Sequence, residues 1–224
     1  LKLAAEFDRP LFAPCAACYN RIKVALRDLK REPKLAEELE IGERELAVRV
    51  VNTVELLRDV VGLDALHERV KQPLTGLKLA AYYGCLLLRP ADMETFDDPE
   101  QPTSMEAVME AIGAEPVEWY GKMDCCSGGL AGTMQPVAET LVTRIVKMAK
   151  HAGAEAIVTA CQLCSMNLES RQGDTSPAAQ PLPVLYISDV VGLALGASAG
   201  ELGLGRHLVD VRPALAVREA AAEH

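Results

Sequence analysis

Short apolar runs alternate with amphipathic stretches along this chain. Leu77–Tyr83 and Ala156–Ala160 read as buried strands, as does Leu182–Ile187. Pro116–Tyr120 is a weaker strand, and Pro10–Ala13 a fragment of one. Between them, Met105–Ile112 and Val137–His151 carry helical spacing, the second with Leu141, Ile145 and Met148 on one stripe. Gly113 and Gly153 stop these two helices. Residues Ala36–Val70 are charged and place Leu46, Val50, Val54, Leu57 and Val61 at near-helical intervals, which predicts a helical bridge between two halves. Strands alternating with helices predict an α/β fold with mainly parallel sheets flanked by helices.

The seven cysteines fall in a consistent place on this map. Cys85 follows the Leu77 strand, Cys125 and Cys126 follow the Pro116 strand, and Cys161 follows the Ala156 strand, with Cys164 one helical turn later. Sites in open α/β sheets form outside the carboxyl ends of strands, so independent strands deliver thiols to one edge. Cys15 and Cys18 form another Cys-x-x-Cys pair. Pro14-Cys15-Ala16-Ala17-Cys18-Tyr19-Asn20 parallels Ala160-Cys161-Gln162-Leu163-Cys164-Ser165-Met166-Asn167, each after a short strand and opening a helix. A Val-Val-Gly-Leu tetrad follows each, at Val60–Leu63 and Val190–Leu193. These matches predict two related halves, with a boundary near residue 72.

Composition narrows the chemistry. An odd cysteine count without a secretory signal makes a poor disulfide framework and suits a reduced, cytoplasmic protein. A net charge of -9 repels phosphate backbones, and an aromatic content of 4% offers little base-stacking surface, so nucleic acid is excluded as the main partner. No apolar run predicts a transmembrane segment; the best candidate, Val184–Gly200, contains Asp189.

A single tetrahedral zinc takes four ligands at one point. Five thiols that include an adjacent pair exceed that need, and neighbouring side chains tend to diverge. A larger or opened iron–sulfur cluster can use all five. Ser127-Gly128-Gly129 after the pair lets backbone approach bulky sulfide, and helix N-terminal amides at Cys161 and Cys164 favour thiolate. The five sulfurs are expected to converge on one thiol-lined pocket. A structural zinc site stays open as the outsider reading.

Cys85, Cys125-Cys126-Ser127-Gly128-Gly129 and Cys161-x-x-Cys164 together resemble the cysteine-rich CCG domain. Cys161–Glu169, Pro183–Asp189 and Gly203–His207 look like the B-type subunit of heterodisulfide reductase. The resemblance implies tandem cysteine-rich domains, each holding a non-cubane [4Fe–4S] cluster on five cysteines. It makes residues 73–224 a complete second domain and residues 1–72 the C-terminal remnant of a first, plus a helical linker. Cys85, Cys125, Cys126, Cys161 and Cys164 are then metal ligands, and Cys125 and Cys126 lie where substrate sulfur would react. Cys15 and Cys18 would bind a second cluster in a full-length protein. The chain starts at Leu1, and its first half lacks an upstream cysteine and an adjacent pair, so we read it as a fragment. Ser127 departs from the family pattern, which implies glycine directly after the pair.

The resemblance implies a redox subunit that reduces or forms a disulfide. Its partners would be a ferredoxin-like iron–sulfur subunit, a flavin-containing subunit and the disulfide substrate. The alternative is a non-catalytic electron-transfer subunit like those of glycolate, lactate or glycerol-3-phosphate oxidoreductases. Other features read as structural. His67, His151 and His224 are exposed helix or tail residues, and Glu37–Glu45 is a solvated helix face. Met166 and Asn167 are packing and turn residues. Gly203-Leu204-Gly205 is too short for a phosphate-binding loop. His207, beside Arg206, is the one histidine placed to approach the site.

Overall fold

A computed structural model describes residues 1–7, 9–172 and 181–221. The chain opens with α1 (Lys2–Ala5), β1 (Leu11–Phe12), α2 (Ala16–Arg31), α3 (Pro33–Glu38), α4 (Glu43–Leu46) and β2 (Val50–Val51). A helix follows as α5 (Thr53–Glu55), widens into a π turn over Leu56–Gly62, and resumes as α6 (Leu63–His67). The second half runs β3 (Lys78–Tyr82), α7 (Ser104–Ala111), β4 (Glu115–Pro116), α8 (Gln135–His151), β5 (Ala156–Thr159), α9 (Gln162–Ser170), β6 (Val184–Tyr186), α10 (Ile187–Ala194) and α11 (Arg212–Ala221).

β1 and β2 pair in parallel as a two-stranded sheet, and β4-β3-β5-β6 form a second sheet whose pairs are all parallel. This bears out the α/β reading. The β3 and β5 residues Leu79–Tyr82 and Ala156–Thr159 are buried, as strands covered on both faces must be. Strand order sets the site. The chain moves outward from β3 to β4, then crosses back to lay β5 on the other side of β3. The order therefore reverses between β3 and β5, and the crevice beyond their carboxyl ends is the switch point of the sheet.

Two elements differ from the pattern. The bridge over residues 36–70 is not one helix. Gly42 starts a separate short helix, and the β-branched pair Val50-Val51 leaves helical geometry to pair with Leu11-Phe12. Asn52 then restarts the helix: its side chain accepts the Val54 and Glu55 amides at 2.8 and 3.1 Å, while the Glu55 carboxylate accepts the Asn52 amide. Apolar residues at helical intervals belong here to a strand and a helix in succession.

The second difference is at Val117–Tyr120, which is not strand. β4 is confined to Glu115–Pro116, where proline is tolerated at a sheet edge. One more ladder bond, from the Val117 amide to the Leu79 carbonyl at 2.8 Å, ends the pairing. Trp119 then turns inward, and its indole N–H donates to the Ala81 carbonyl at 3.0 Å. Tyr120 is left 99% exposed.

The two halves share one apolar core, in which Tyr19, Val50 and Val54 join Leu79–Tyr83, Ile157 and Val184. No helix among the described residues is long and apolar enough to cross a membrane. The interior strands concentrate the burial, so we expect Ile157→Ala to destabilise the protein by about 2–5 kcal/mol. Urea unfolding checks this. A loss below about 1 kcal/mol would mean that the β3–β5 ladder does not organise the core.

Candidate functional site

Three chain segments bring five thiols to the carboxyl edge of the larger sheet. β3 runs into Gly84 (φ +65°) and Cys85, and the Tyr83 and Gly84 amides both donate to the Lys122 carbonyl, at 2.9 and 3.2 Å. Those bonds hold the Cys85 loop beside the loop that carries Cys125 and Cys126. A β-carbon at Gly84 would stand 3.0 Å from the Cys164 sulfur, tighter than most real contacts and in a left-handed backbone that disfavours side chains. β5 ends at Thr159, whose hydroxyl accepts the Cys161 amide at 3.2 Å. Cys161 is the N-cap of α9, and its sulfur accepts the Cys164 amide at 3.3 Å.

The thiols close on one another instead of lining an open pocket, because neutral thiols can donate and accept while burying apolar surface. Cys85 Sγ lies 3.8 Å from Cys125 Sγ. Cys164 donates toward Cys126 and Cys161, which lowers the pKa of Cys126 to about 6 and depresses that of Cys161. The same two bonds, with burial, drive the Cys164 thiol strongly upward. Burial, then the charge of Cys125, pushes Cys85 up to about 12. Tyr82 joins the two groups. Its hydroxyl donates to the Asp124 carbonyl at 2.6 Å, and the ring lies within electrostatic reach of Cys164, Cys126, Cys125 and Cys85. Cys126, Cys161 and Cys164 are buried, Cys85 is half-buried and Cys125 is exposed, so the group opens to solvent on the Cys125 side. Among the described residues, no three His, Cys, Asp or Glu side chains gather as a single metal ion would need.

The first pair lies on the same side. Cys15 is the N-cap of α2 and lies near enough to Cys161 to feel a weak charge repulsion from it. The Cys18 amide lowers the Cys15 pKa, and the hydrogen bond between the two thiols raises that of Cys18. Asn20 of α2 donates to the Leu86 and Arg89 carbonyls at 2.9 and 2.6 Å, which ties the helix to the loop after Cys85.

Sequence reasoning missed four residues that position these thiols. Tyr82 read only as strand core, and Tyr186 only as part of a family-like segment. Gly84 carried a signal, a glycine between a buried strand and a cysteine. Asn167 read as a turn residue, but it is buried in α9 and donates to the Cys126 carbonyl. A polar residue that favours caps over helix interiors was its signal. His207 is held between carboxylates: Nδ1 bonds Glu169, and Nε2 lies 3.6 Å from Asp189. With Arg206, Gln162, Ser165, Met166 and Tyr186 it lines a cavity of about 340 Å3 beside α9. His67 Nδ1 pairs with the Ala111 carbonyl at 3.0 Å, and His151 is exposed beside Trp119 and Tyr120. His224 lies outside the described residues.

Ser127 explains its departure from the family pattern. It adopts φ +63°, ψ 23°, the left-handed region where glycine costs nothing. Its amide donates to Cys125 Sγ at 3.3 Å, so this conformation helps seat the adjacent pair. Its buried hydroxyl has no hydrogen-bond partner among the described residues. Ser127→Gly should therefore stabilise the protein by about 1 kcal/mol, after the entropy glycine adds to the unfolded chain. That corresponds to roughly 2–4 °C in Tm at this size. A Tm at or below that of the parent protein would show that the hydroxyl and turn carry no strain.

The profile of the cysteine-rich CCG domain matches residues 79–169, which span β3, the adjacent pair and most of α9. The 8-methylmenaquinol:fumarate reductase membrane anchor subunit of Wolinella succinogenes is 32% identical, over 94% of this chain and 76% of that protein. The B-type subunit of the ferredoxin/F420H2-dependent CoB-CoM heterodisulfide reductase of Methanosarcina acetivorans is 30% identical, over 93% of this chain and 73% of that protein. A crystal structure of a hypothetical protein from Helicobacter pylori superposes with a TM-score of 0.63 and 13% identity, covering 87% of this chain and 36% of that one, a likeness of fold alone. With its cysteine-rich domain centred on the β3–β5 switch point and its similarity running nearly end to end, the chain belongs to the family of heterodisulfide reductase B-type subunits.

Proposed function

We propose that this chain is the iron–sulfur subunit of a heterodisulfide reductase-like complex, reducing or forming a thiol disulfide. Cys85, Cys125, Cys126, Cys161 and Cys164 would hold a non-cubane [4Fe–4S] cluster. The observation that carries this reading is the gathering of five thiols from three segments at one sheet edge. The donor set fits the group. The thiols form two contacting groups spread around Tyr82, wider than one ion would need, and all are soft ligands. Gly84 and Gly128 leave room where β-carbons would press on Cys164 and on Leu163. When bound, such a cluster supplies single-electron steps and an iron open to a substrate sulfur.

The chain's own residues do the rest. Cys126 and Cys161 sit where neighbouring donors favour thiolate, so they would lose their protons to solvent readily as a metal binds. Asn167 and Tyr82 hold the backbone on both sides of the adjacent pair, at Cys126 and Asp124. Exposed Cys125 marks the side from which a disulfide would approach. The reading implies a ferredoxin-like iron–sulfur subunit as electron donor and, upstream of it, a flavin-containing partner. It also implies a reducing, cytoplasmic setting, which the seven free thiols suit. Residues 1–72 and 73–224 are read as two related units, since each contains a strand, a Cys-x-x-Cys N-cap, a helix, and a second parallel strand leading into another helix.

A second reading is favoured by the relative from a quinol:fumarate reductase. In it the chain relays electrons and the disulfide chemistry is absent. Anaerobic loading with iron and sulfide separates the readings. We expect roughly four irons with matching acid-labile sulfide per filled site. Cys126→Ser should lose most of both, abolish disulfide turnover in the complex, and remove the paramagnetic signal produced by adding thiol to the oxidised protein. Normal turnover by Cys126→Ser would leave the relay reading. Zinc without iron or sulfide would sink both.

A further inference from the structure

One hydroxyl touches both cysteine loops. Tyr186 ends β6 and is the N-cap of α10. Its hydroxyl donates to the carbonyls of Pro14 and Ala160, each at 2.9 Å. Pro14 and Ala160 are the residues directly before Cys15 and Cys161, the N-caps of α2 and α9. A phenol has one proton, so this is a shared bond that neither loop can leave without breaking the bridge. Burial raises the Tyr186 pKa to about 12, which keeps the donor proton in place at neutral pH. Gln162 adds a second tie, its Nε2 donating to the Pro14 carbonyl at 3.1 Å.

The clamp is itself anchored. The Tyr186 amide donates to the Asp189 carboxylate at 2.7 Å, and Asp189 faces His207. His207 bonds Glu169 of α9, and the Glu169 carboxylate also accepts the Leu208 amide at 2.9 Å. The segment Leu204–Leu208 thereby straps α9 to α10 and fixes the direction in which Tyr186 points. On the other side, Asn20 holds α2 against the loop after Cys85. The relative position of the two Cys-x-x-Cys loops thus rests on a few polar contacts, among them the bond from Gln162 to Pro14 and the Tyr186 hydroxyl, which bridges the two loops from outside both.

We propose that Tyr186 is a positioning residue whose hydroxyl sets the gap between the Cys15–Cys18 loop and the Cys161–Cys164 loop. Its consequence for turnover rests on the disulfide reading above; its geometry does not. Reacting sulfurs must be held within a few tenths of an ångström of productive positions, and small misplacements cost large factors in rate.

The test uses the full chain with Tyr186→Phe, which keeps the ring and deletes the hydroxyl. In the reduced, metal-free protein, iodoacetamide labelling of each cysteine is followed by mass spectrometry. A hydrogen bond of about 1 kcal/mol predicts a severalfold rise in labelling at the half-buried Cys15, with the exposed Cys18 and Cys125 unchanged. In the loaded complex, kcat for disulfide turnover should fall about tenfold or more while KM and iron content stay near the parent values. Unchanged labelling of Cys15 overturns the proposal, as does an equal rise at every cysteine. An unchanged kcat at normal iron content overturns the positioning role even if labelling rises.

Should Tyr186→Phe fail to fold, Gln162→Leu at an exposed position serves instead. It removes the other donor to Pro14 while Tyr186 stays, so Cys15 labelling should rise by no more than about twofold, and a severalfold rise, which would make Gln162 the tie that sets the gap, overturns the proposal. If the parent protein binds no iron, the cluster reading falls while the labelling result stands by itself.

Discussion

The parallel pairing of Lys78–Tyr82 with Ala156–Thr159 is the constraint on which the rest of this molecule depends. It is the longest strand pairing among the described residues, registering Leu79 with Ala156 through Tyr82 with Thr159. Because the strands run the same way in register, their carboxyl ends finish side by side. Gly84-Cys85 and Cys161 must then emerge into the same crevice. β4 joins β3 by a shorter parallel pairing, which brings the Cys125-Cys126 loop round the same edge. An antiparallel sheet built from these segments would send half the thiols to the opposite end.

That arrangement sets an electrostatic problem that the side chains resolve. Three buried thiols in contact cannot all ionise, because like charges at short range in a poorly solvated site repel strongly. They share protons instead. Cys164 donates to two neighbours, and the amides of Cys164 and Gly128 stabilise charge on Cys161 and Cys126. Hydrogen bonds that favour thiolate at two positions and thiol at a third keep the metal-free site folded while leaving it ready to exchange protons for a thiophilic metal. Burial alone would raise every thiol, as it does at Cys85, and make such a site inert.

The sequence made the strands and the thiols legible for a shared reason. Buried parallel strands are short continuous apolar runs, and a cysteine directly after each is a local feature that needs no knowledge of packing. Ala156–Ala160 and Leu77–Tyr83 were therefore read within a residue or two of their observed ends. The bridge at 36–70 failed because Val50-Val51 fits both a helical stripe and a strand, and only its partner at Leu11-Phe12, far away in sequence, decides between them. Val117–Tyr120 failed because Trp119 satisfies its indole on Ala81, a long-range bond that alternation cannot show. The positioning residues Tyr82, Asn167 and Tyr186 were hidden for the same reason: each acts on a loop more than twenty residues away.

The two halves are built from one local grammar: a short strand, a Cys-x-x-Cys turn that caps a helix, and a second parallel strand leading into another helix. In the first half Asn52 caps the last helix with its side chain, and Glu55 returns the bond to the Asn52 amide. In the second half Asp189 makes the equivalent return bond to the Tyr186 amide, but the cap residue is tyrosine. Asparagine spends its side chain on its own helix; tyrosine is too long to do so and reaches outward. The difference between two otherwise matching caps is thus what frees a hydroxyl in the second half to span from the Ala160 carbonyl to that of Pro14 in the first.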